Sequence, residues 1–247
     1  MKRYFYRKNT LADVICQLRY PELPSIDDGI MGFKEALSQE YQYSMALENV
    51  VLYENEAGAP AVKPKIITVN NYRFETAGQR YIVNLTKEFY ALSTSRYSRW
   101  EDFLAQLESF KATFEKFYLP GKYVRIGLRY VNVISKKELG IPQETSWEEL
   151  ICPTMLGLYT RQNEVQSMDN NFSFRYDDQN EATVRISTPM GKNGLGDMLV
   201  IDSDFFRMLP DKATLKDILE QLHNHSREFI EEAFQEPLRV AMGKEEM

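Results

Sequence analysis

The fold of this chain is decided by the stretch Tyr123-Val-Arg-Ile-Gly-Leu-Arg-Tyr-Val-Asn-Val-Ile134, in which Arg125, Gly127 and Arg129 alternate with apolar residues. Alternation with a period of two is typical of a β-strand that buries one face. An earlier stretch, Asp13-Val-Ile-Cys-Gln-Leu-Arg-Tyr20, shows the same alternation and the same Leu-Arg-Tyr ending. We therefore expect two related strands, separated by a little under half of the chain.

The elements around these two strands predict an internal duplication. Apolar residues at helical spacing predict long helices over 99–118 and 213–235, each preceded by a run of short strands. We therefore expect an α+β fold in which residues 1–247 form a single compact unit built of two pseudo-repeats, about 11–120 and 121–240. The sheet should be largely antiparallel with the helices on one face, a plan like that of the TATA-binding protein. This likeness concerns the fold alone.

Two other regions are harder to assign from their patterns. A first helix is expected to begin at Ser25 and to end near Tyr43, because its apolar residues recur at helical spacing. The segment 44–64 has mixed composition, so the sequence assigns it no structure. The tail, residues 243–247, is short and charged and is expected to be frayed.

Composition narrows the possible functions. The net charge is −6, which argues against broad nucleic-acid binding because phosphate contacts need clustered Lys and Arg. A local basic face stays compatible with such binding. The two cysteines, Cys16 and Cys152, predict free thiols in a reducing compartment. No stretch approaches the ~20 apolar residues of a membrane span, so we expect a cytoplasmic protein.

Few residues suggest catalysis. Asp202 and Asp204 are spaced to share one face of a strand, and paired carboxylates can hold Mg²⁺ or act as acid and base. They are the candidate catalytic residues of a metal-dependent hydrolase or nuclease. His223 and His225 do not share a helix face and predict no metal site. The loop Gly191-Lys-Asn-Gly-Leu-Gly196 lacks the Gly-Lys-Ser/Thr ending of a phosphate-binding loop, so we expect no cofactor.

The binding candidates are Gln17, Arg19, Arg125 and Arg129, which lie opposite the apolar strand faces. If helices cover the apolar side, these side chains form an open positive patch, and arginine binds phosphate or carboxylate through its planar fork. Gly127 would leave room for a partner to approach the backbone closely. The competing interpretation is that the arginines pair with carboxylates of the chain itself, namely Glu88, Asp202 and Asp204.

Four sequence features together resemble a sporadically distributed bacterial family of about 250 residues, whose motifs have no established chemistry. Its signature is Arg-x-Gly-Leu-Arg-Tyr-x-Asn. The features are Leu11-Ala-Asp-Val-Ile-Cys-Gln-Leu-Arg-Tyr20, Tyr97-Ser-Arg-Trp100, Arg125-Ile-Gly-Leu-Arg-Tyr-Val-Asn132 and Asp204-Phe205. The resemblance covers most of the chain and implies a role in the accessory genome, such as phage defence or a toxin–antitoxin pair. It assigns no functional residue.

These observations favour a non-catalytic binding or regulatory protein whose partner is a protein encoded nearby or an anionic molecule. The first alternative is the metal-dependent hydrolase or nuclease using Asp202 and Asp204. The second is a small-ligand-binding protein with a cavity between sheet and helix. The sequence predicts neither the identity of the partner nor the oligomeric state.

Overall fold

The computed structural model describes residues 4–37, 41–54, 63–157, 168–188, 190–191, 194–195, 198–211 and 214–246. The strands in chain order are β1 (Tyr4–Tyr6), β2 (Leu11–Arg19), β3 (Tyr41–Glu54), β4 (Lys63–Thr76), β5 (Ile82–Leu85), β6 (Phe89–Thr94), β7 (Arg125–Ser135), β8 (Met168–Arg175), β9 (Glu181–Thr188), β10 (Met190–Gly191), β11 (Gly194–Leu195), β12 (Met198–Met208) and β13 (Lys244–Glu246). The helices are α1 (Ser25–Ala36), α2 (Trp100–Tyr118), α3 (Lys136–Leu139), α4 (Trp147–Leu150), α5 (Pro153–Leu156), α6 (Leu215–Ala233) and α7 (Glu236–Ala241). None of the described helices is long and apolar enough to cross a membrane.

Nine of the strands form one large sheet, in the order β3-β4-β5-β6-β2-β7-β12-β9-β8. Neighbouring strands run antiparallel, as the registers of β12 with β7 and β9, and of β3 with β4, show. Two small antiparallel pairs, β1 with β13 and β10 with β11, lie outside this sheet. The prediction of an α+β chain with a largely antiparallel sheet is therefore confirmed.

The chain divides into two compact units, and β2 contributes its first half to one and its second half to the other. The larger unit comprises Met1–Ile15, Ser95–Tyr97 and Arg125–Met247, and the smaller unit comprises Cys16–Thr94 and Ser98–Val124.

The core of the smaller unit lies between its strands and the helices α1 and α2. The predicted helix over 99–118 is confirmed, and its apolar stripe is buried almost throughout. Phe114 contacts the rings of Tyr20 and Tyr90, with centroids 5.1 and 4.9 Å apart, and α1 adds Phe33 to the same cluster. Phe117 differs from the rest of the stripe because it is 39% exposed.

The core of the larger unit forms where α6 packs on β7 and β12. Phe229 of α6 contacts Phe205 of β12 with ring centroids 5.9 Å apart, and Phe205 lies opposite Leu128 of β7. The prediction of a long helix over 213–235 is confirmed with slightly shorter bounds.

Two local predictions are wrong. The first helix ends at Ala36 rather than near Tyr43, and residues 41–54 belong to the long strand β3. Pairing of β3 with β4 along fourteen residues outweighs the helical spacing of apolar side chains. The tail is not frayed over Lys244–Glu246, because these residues pair with Tyr4–Tyr6. Of the unassigned segment 44–64, residues 55–62 lie outside the described residues.

Candidate functional site

The candidate site is the side of the larger unit's sheet that faces away from α6, which we call the polar face. Its members lie on β2, β7, β8, β9 and β12, and on all of these strands except β8 they alternate with buried residues. The registers place Asp204 opposite Arg129 and Asp202 opposite Arg185. The charged residues of the polar face are Asp13, Arg125, Arg129, Asp169, Arg175, Glu181, Arg185, Asp202 and Asp204.

Arg129 and Asp202 form the central pair of the polar face. The Arg129 Nε and Nη2 atoms donate to the two carboxylate oxygens of Asp202 at 2.7 and 2.6 Å. These hydrogen bonds are the largest cause that raises the pKa of Arg129, so the guanidinium stays charged. The Arg129 side chain is nevertheless 47% exposed. The pair therefore has the fork geometry that recognises carboxylates, and it presents that geometry to solvent.

Arg125 and Asp204 form a second pair that is much less accessible. The Arg125 Nη2 atom lies 2.6 Å from Asp204 Oδ2, its guanidinium stacks on the ring of Phe206 at 4.3 Å, and its side chain is only 15% exposed. Burial raises the pKa of Asp204, although Arg125 acts in the opposite direction. A desolvated carboxylate held against a stacked guanidinium indicates a structural pair.

The expectation of open space at Gly127 is wrong. A Cβ atom at this position would collide with the Arg125 guanidinium and would lie 3.0 Å from Asp204 Oδ1. The long Arg125 side chain folds back over the glycine to reach Phe206 and Asp204. Gly127 therefore leaves room for the ion pair between Arg125 and Asp204, and this pair covers its backbone so that a partner cannot reach it.

The polar face carries charges of both signs in nearly equal number. Arg185 and Asp169 form a third pair through two hydrogen bonds of 2.7 and 2.6 Å, and both side chains are exposed. The hydrogen bonds from Arg185 lower the pKa of Asp169, so this carboxylate stays charged. With Arg175, Glu181 and Asp13 the described part of the face holds four arginines and five carboxylates. The expected positive patch is therefore wrong for the larger unit.

The other two predicted binding residues lie in the smaller unit. Gln17 is partly buried, and Arg19 is exposed and approaches Glu88 at 3.4 Å. The predicted ion pairs with Glu88, Asp202 and Asp204 thus all form, one for each arginine. Since Arg125 and Arg129 belong to the larger unit, the four-residue binding site stays a prediction.

The two candidate catalytic aspartates lie on one strand face, as predicted, but each of them accepts a hydrogen bond from an arginine. A metal ion at Asp202 or Asp204 would have to displace that arginine. Across the parts of the chain that the structure describes, no group of three or more His, Cys, Asp or Glu side chains is placed to hold a metal.

Both histidines connect α6 to neighbouring elements. His223 Nδ1 lies 2.7 Å from the hydroxyl of Tyr130 on β7. His225 stacks on the ring of Tyr176 with centroids 4.3 Å apart, and its Nε2 lies 3.4 Å from Asp177 Oδ2. Hydrogen bonds hold the turn between β8 and β9 around Asp177. These contacts leave no local pattern in the sequence, because they join residues distant along the chain.

The smaller unit contains a mainly apolar recess of about 370 Å³, which bears on the small-ligand alternative. The Tyr20 hydroxyl at this recess already donates to the Thr86 carbonyl oxygen at 2.8 Å. The lining residues are Tyr20, Pro21, Leu23, Pro120, Gly121 and Lys122.

Comparison of the chain with protein-family models, with curated proteins and with solved structures finds no match.

Proposed function

We propose that this chain is a non-catalytic binding or regulatory protein that binds a protein partner through the polar face of its larger unit. The observation that carries the proposal is the Arg129–Asp202 pair, which combines two-point hydrogen bonding with high exposure of the arginine. Arginine is enriched among the residues that dominate binding energy at protein interfaces. An exposed pair can exchange its internal partner for one on another molecule at small cost.

The balance of charges favours a protein over a nucleic acid as the partner. A phosphate backbone is attracted by clustered positive charge, whereas four arginines and five carboxylates are interspersed on this face. A protein surface offers both signs and can match such a pattern. In line with the family resemblance, we propose a partner encoded nearby in a bacterial accessory genome and a cytoplasmic location, which the free thiols of Cys16 and Cys152 support.

Quantitative recovery of partners from native bacterial lysate tests this proposal. Arg129→Glu should lower recovery of the specific partner by about tenfold or more, because it places a negative charge beside Asp202. Arg99→Glu is the matched control, since Arg99 is an exposed arginine in an ion pair with Asp102 on α2. Its recovery should stay within about twofold of wild type. Equal recovery with both folded variants would refute the proposed surface.

The metal-dependent hydrolase is the second candidate, and the raised pKa of Asp204 on the same face as Asp202 is its support. Calorimetry with Mg²⁺, Mn²⁺ and Zn²⁺ separates the two proposals. On the binding-protein proposal no ion binds at Asp202. A tight site that Asp202→Asn removes would establish the alternative and refute ours.

A small-ligand carrier is the third candidate, supported by the recess beside Tyr20 and Lys122. Native mass spectrometry of the purified chain should detect no bound small molecule. A copurifying compound that Gly121→Trp removes would favour the carrier.

We also propose that the fold arose by internal duplication, with a plan like that of the TATA-binding protein. The strand order supports this, since β6-β5-β4-β3 follow β2 and β12-β9-β8 follow β7 in reverse chain order. Each run is followed along the chain by a helix of 19 residues. An experimental structure in which the segments from β2 to α2 and from β7 to α6 fail to superpose would contradict the duplication.

A further inference from the structure

The strand β8 lies at one end of the large sheet, so its outer edge has no neighbouring strand among the described residues. Its eight residues pair with β9 in an unbroken register, and no strand among the described residues pairs with the other side. Proteins protect such edges with Pro, Lys or a β-bulge, because exposed backbone groups can pair with another chain. The sequence Met-Asp-Asn-Asn-Phe-Ser-Phe-Arg of β8 contains neither Pro nor Lys, and its register contains no bulge.

The hydrogen bonds at the two ends of β8 show which backbone groups point outward. The Met168 N–H donates to Thr188 Oγ1 at 3.0 Å, and the Tyr176 N–H donates to the Asn180 carbonyl at 2.9 Å. Both even-numbered residues thus point towards β9. Since backbone groups alternate along an antiparallel strand, the odd-numbered residues direct their N–H and C=O groups to the free edge. These residues are Asp169, Asn171, Ser173 and Arg175.

We propose that this edge pairs with the same edge of a second copy of the chain, antiparallel and centred on Phe172. In this register Asp169 lies opposite the second copy's Arg175, and Asn171 lies opposite the second copy's Ser173. All four pairs join residues whose backbone groups point outward, so each can form two hydrogen bonds. A twofold interface of this kind closes on itself, because each residue's contact is repeated by symmetry.

The side chains of β8 are complementary to themselves in this register alone. Arg175 is exposed and makes no ion pair within the described part of the chain. Asp169 is bound by Arg185 through two hydrogen bonds, yet a carboxylate has lone pairs for further donors. The twofold repeat gives two such cross-copy ion pairs. A shift by one residue sets outward groups against inward ones, and a shift by two separates Asp169 from Arg175.

The apolar side of the edge supports the same partner. Phe172 and Phe174 are each more than a third exposed, although Val184 of β9 and Phe205 of β12 on the same side of the sheet are buried. At the twofold axis the two Phe172 side chains face each other across a closely spaced strand pair, where aromatic pairs stabilise a sheet. The dimer also sets the polar faces of two larger units side by side.

Sedimentation velocity over about 1–100 µM chain tests the proposal, since a short strand edge gives a small interface and concentration-dependent dimerisation. The wild type should dimerise within this range. Ser173→Pro removes an outward N–H that β9 does not use, so the fold tolerates it and the dimer is lost. Ser173→Ala keeps the N–H and is the matched control, expected to dimerise like wild type.

A charge exchange tests the register itself. Arg175→Glu sets two negative charges together, Asp169→Lys sets two positive charges together, and each variant should weaken its own dimer by about tenfold or more. A mixture of the two variants restores both ion pairs, so heterodimers should form. A wild type that stays monomeric overturns the proposal, as does a dimer that Ser173→Pro leaves intact. Failure of the mixture to associate overturns the register, and binding of a different protein at an edge that never self-associates identifies another occupant.

Discussion

The core of the smaller unit and the polar face of the larger unit respond to substitution in opposite ways. In the core, Phe114 contacts four aromatic rings and has no exposed surface. On the polar face, Arg129 bonds to one carboxylate and keeps 47% of its side chain in solvent. The core therefore stabilises its unit through buried ring contacts, whereas the exposed ion pair on the polar face can be broken at small cost in stability.

The polar face is itself divided. Arg125 lies four residues before Arg129 on the same side of β7, but it covers Gly127, stacks on Phe206 and is largely buried. Arg125 is therefore a structural residue, whereas we propose that Arg129 contacts the partner.

The largest effect is expected in the core of the smaller unit. Phe114→Ala should lower the free energy of unfolding by about 3–5 kcal/mol, because it leaves a cavity among rings that cannot close. Phe117→Ala is the matched control one turn along α2, and its partly exposed ring should cost less than about 2 kcal/mol. Urea denaturation measures both. Equal losses would show that the exposure of Phe117 does not matter.

A smaller effect is expected at Gly127 on the polar face. Gly127→Ala should lower the free energy of unfolding by about 1–3 kcal/mol, because the new Cβ displaces the Arg125 guanidinium. Replacing glycine by alanine at a position without a clash ordinarily stabilises a protein, because it lowers the conformational entropy of the unfolded chain. A loss of stability in Gly127→Ala would therefore indicate the clash. In an Arg125→Ala background the cost should disappear. If Gly127→Ala still lowers the free energy of unfolding in the Arg125→Ala background, the clash involves a group other than the Arg125 guanidinium.

The smallest effect is a pH dependence of opposite sign at two carboxyl groups. The raised pKa of Asp204, caused first by burial, contributes stability below its unfolded pKa of about 3.9 that is lost as the pH rises through the folded value. The pKa of Asp169, lowered by hydrogen bonds from Arg185, contributes stability above about 3.9 that is lost as the pH falls through the folded value. A titration followed by the carboxyl ¹³C shifts should give Asp204 a higher pKa than Asp169. The reverse order would contradict the burial difference.

The sequence predicted what depends on local alternation and missed what depends on long side chains or distant pairing. The alternation of polar and apolar residues correctly placed Arg125, Arg129, Asp202 and Asp204 on one face. It also allowed their ion pairs, which were the competing interpretation. It could not show that Arg125 folds back over its own strand, because a flexible side chain reaches several positions.

The strand β3 was missed for a related reason. Apolar residues up to Tyr41 continue the helical spacing of α1, so the local pattern favours a helix to Tyr43. Pairing with β4, a strand that comes later in the chain, decides the outcome instead. The contacts of His223 and His225 with two tyrosines were missed because they also depend on tertiary packing.

The most direct measurement compares the unfolding free energies of Arg125→Ala and Arg129→Ala in parallel urea titrations. Arg125→Ala should cost about 1.5–3 kcal/mol, because it strips a desolvated carboxylate of its partner and uncovers Phe206. Arg129→Ala should cost less than about 1 kcal/mol, as an exposed ion pair does. Equal costs, or a larger cost for Arg129→Ala, would contradict the division of the polar face into a structural pair and a recognition pair.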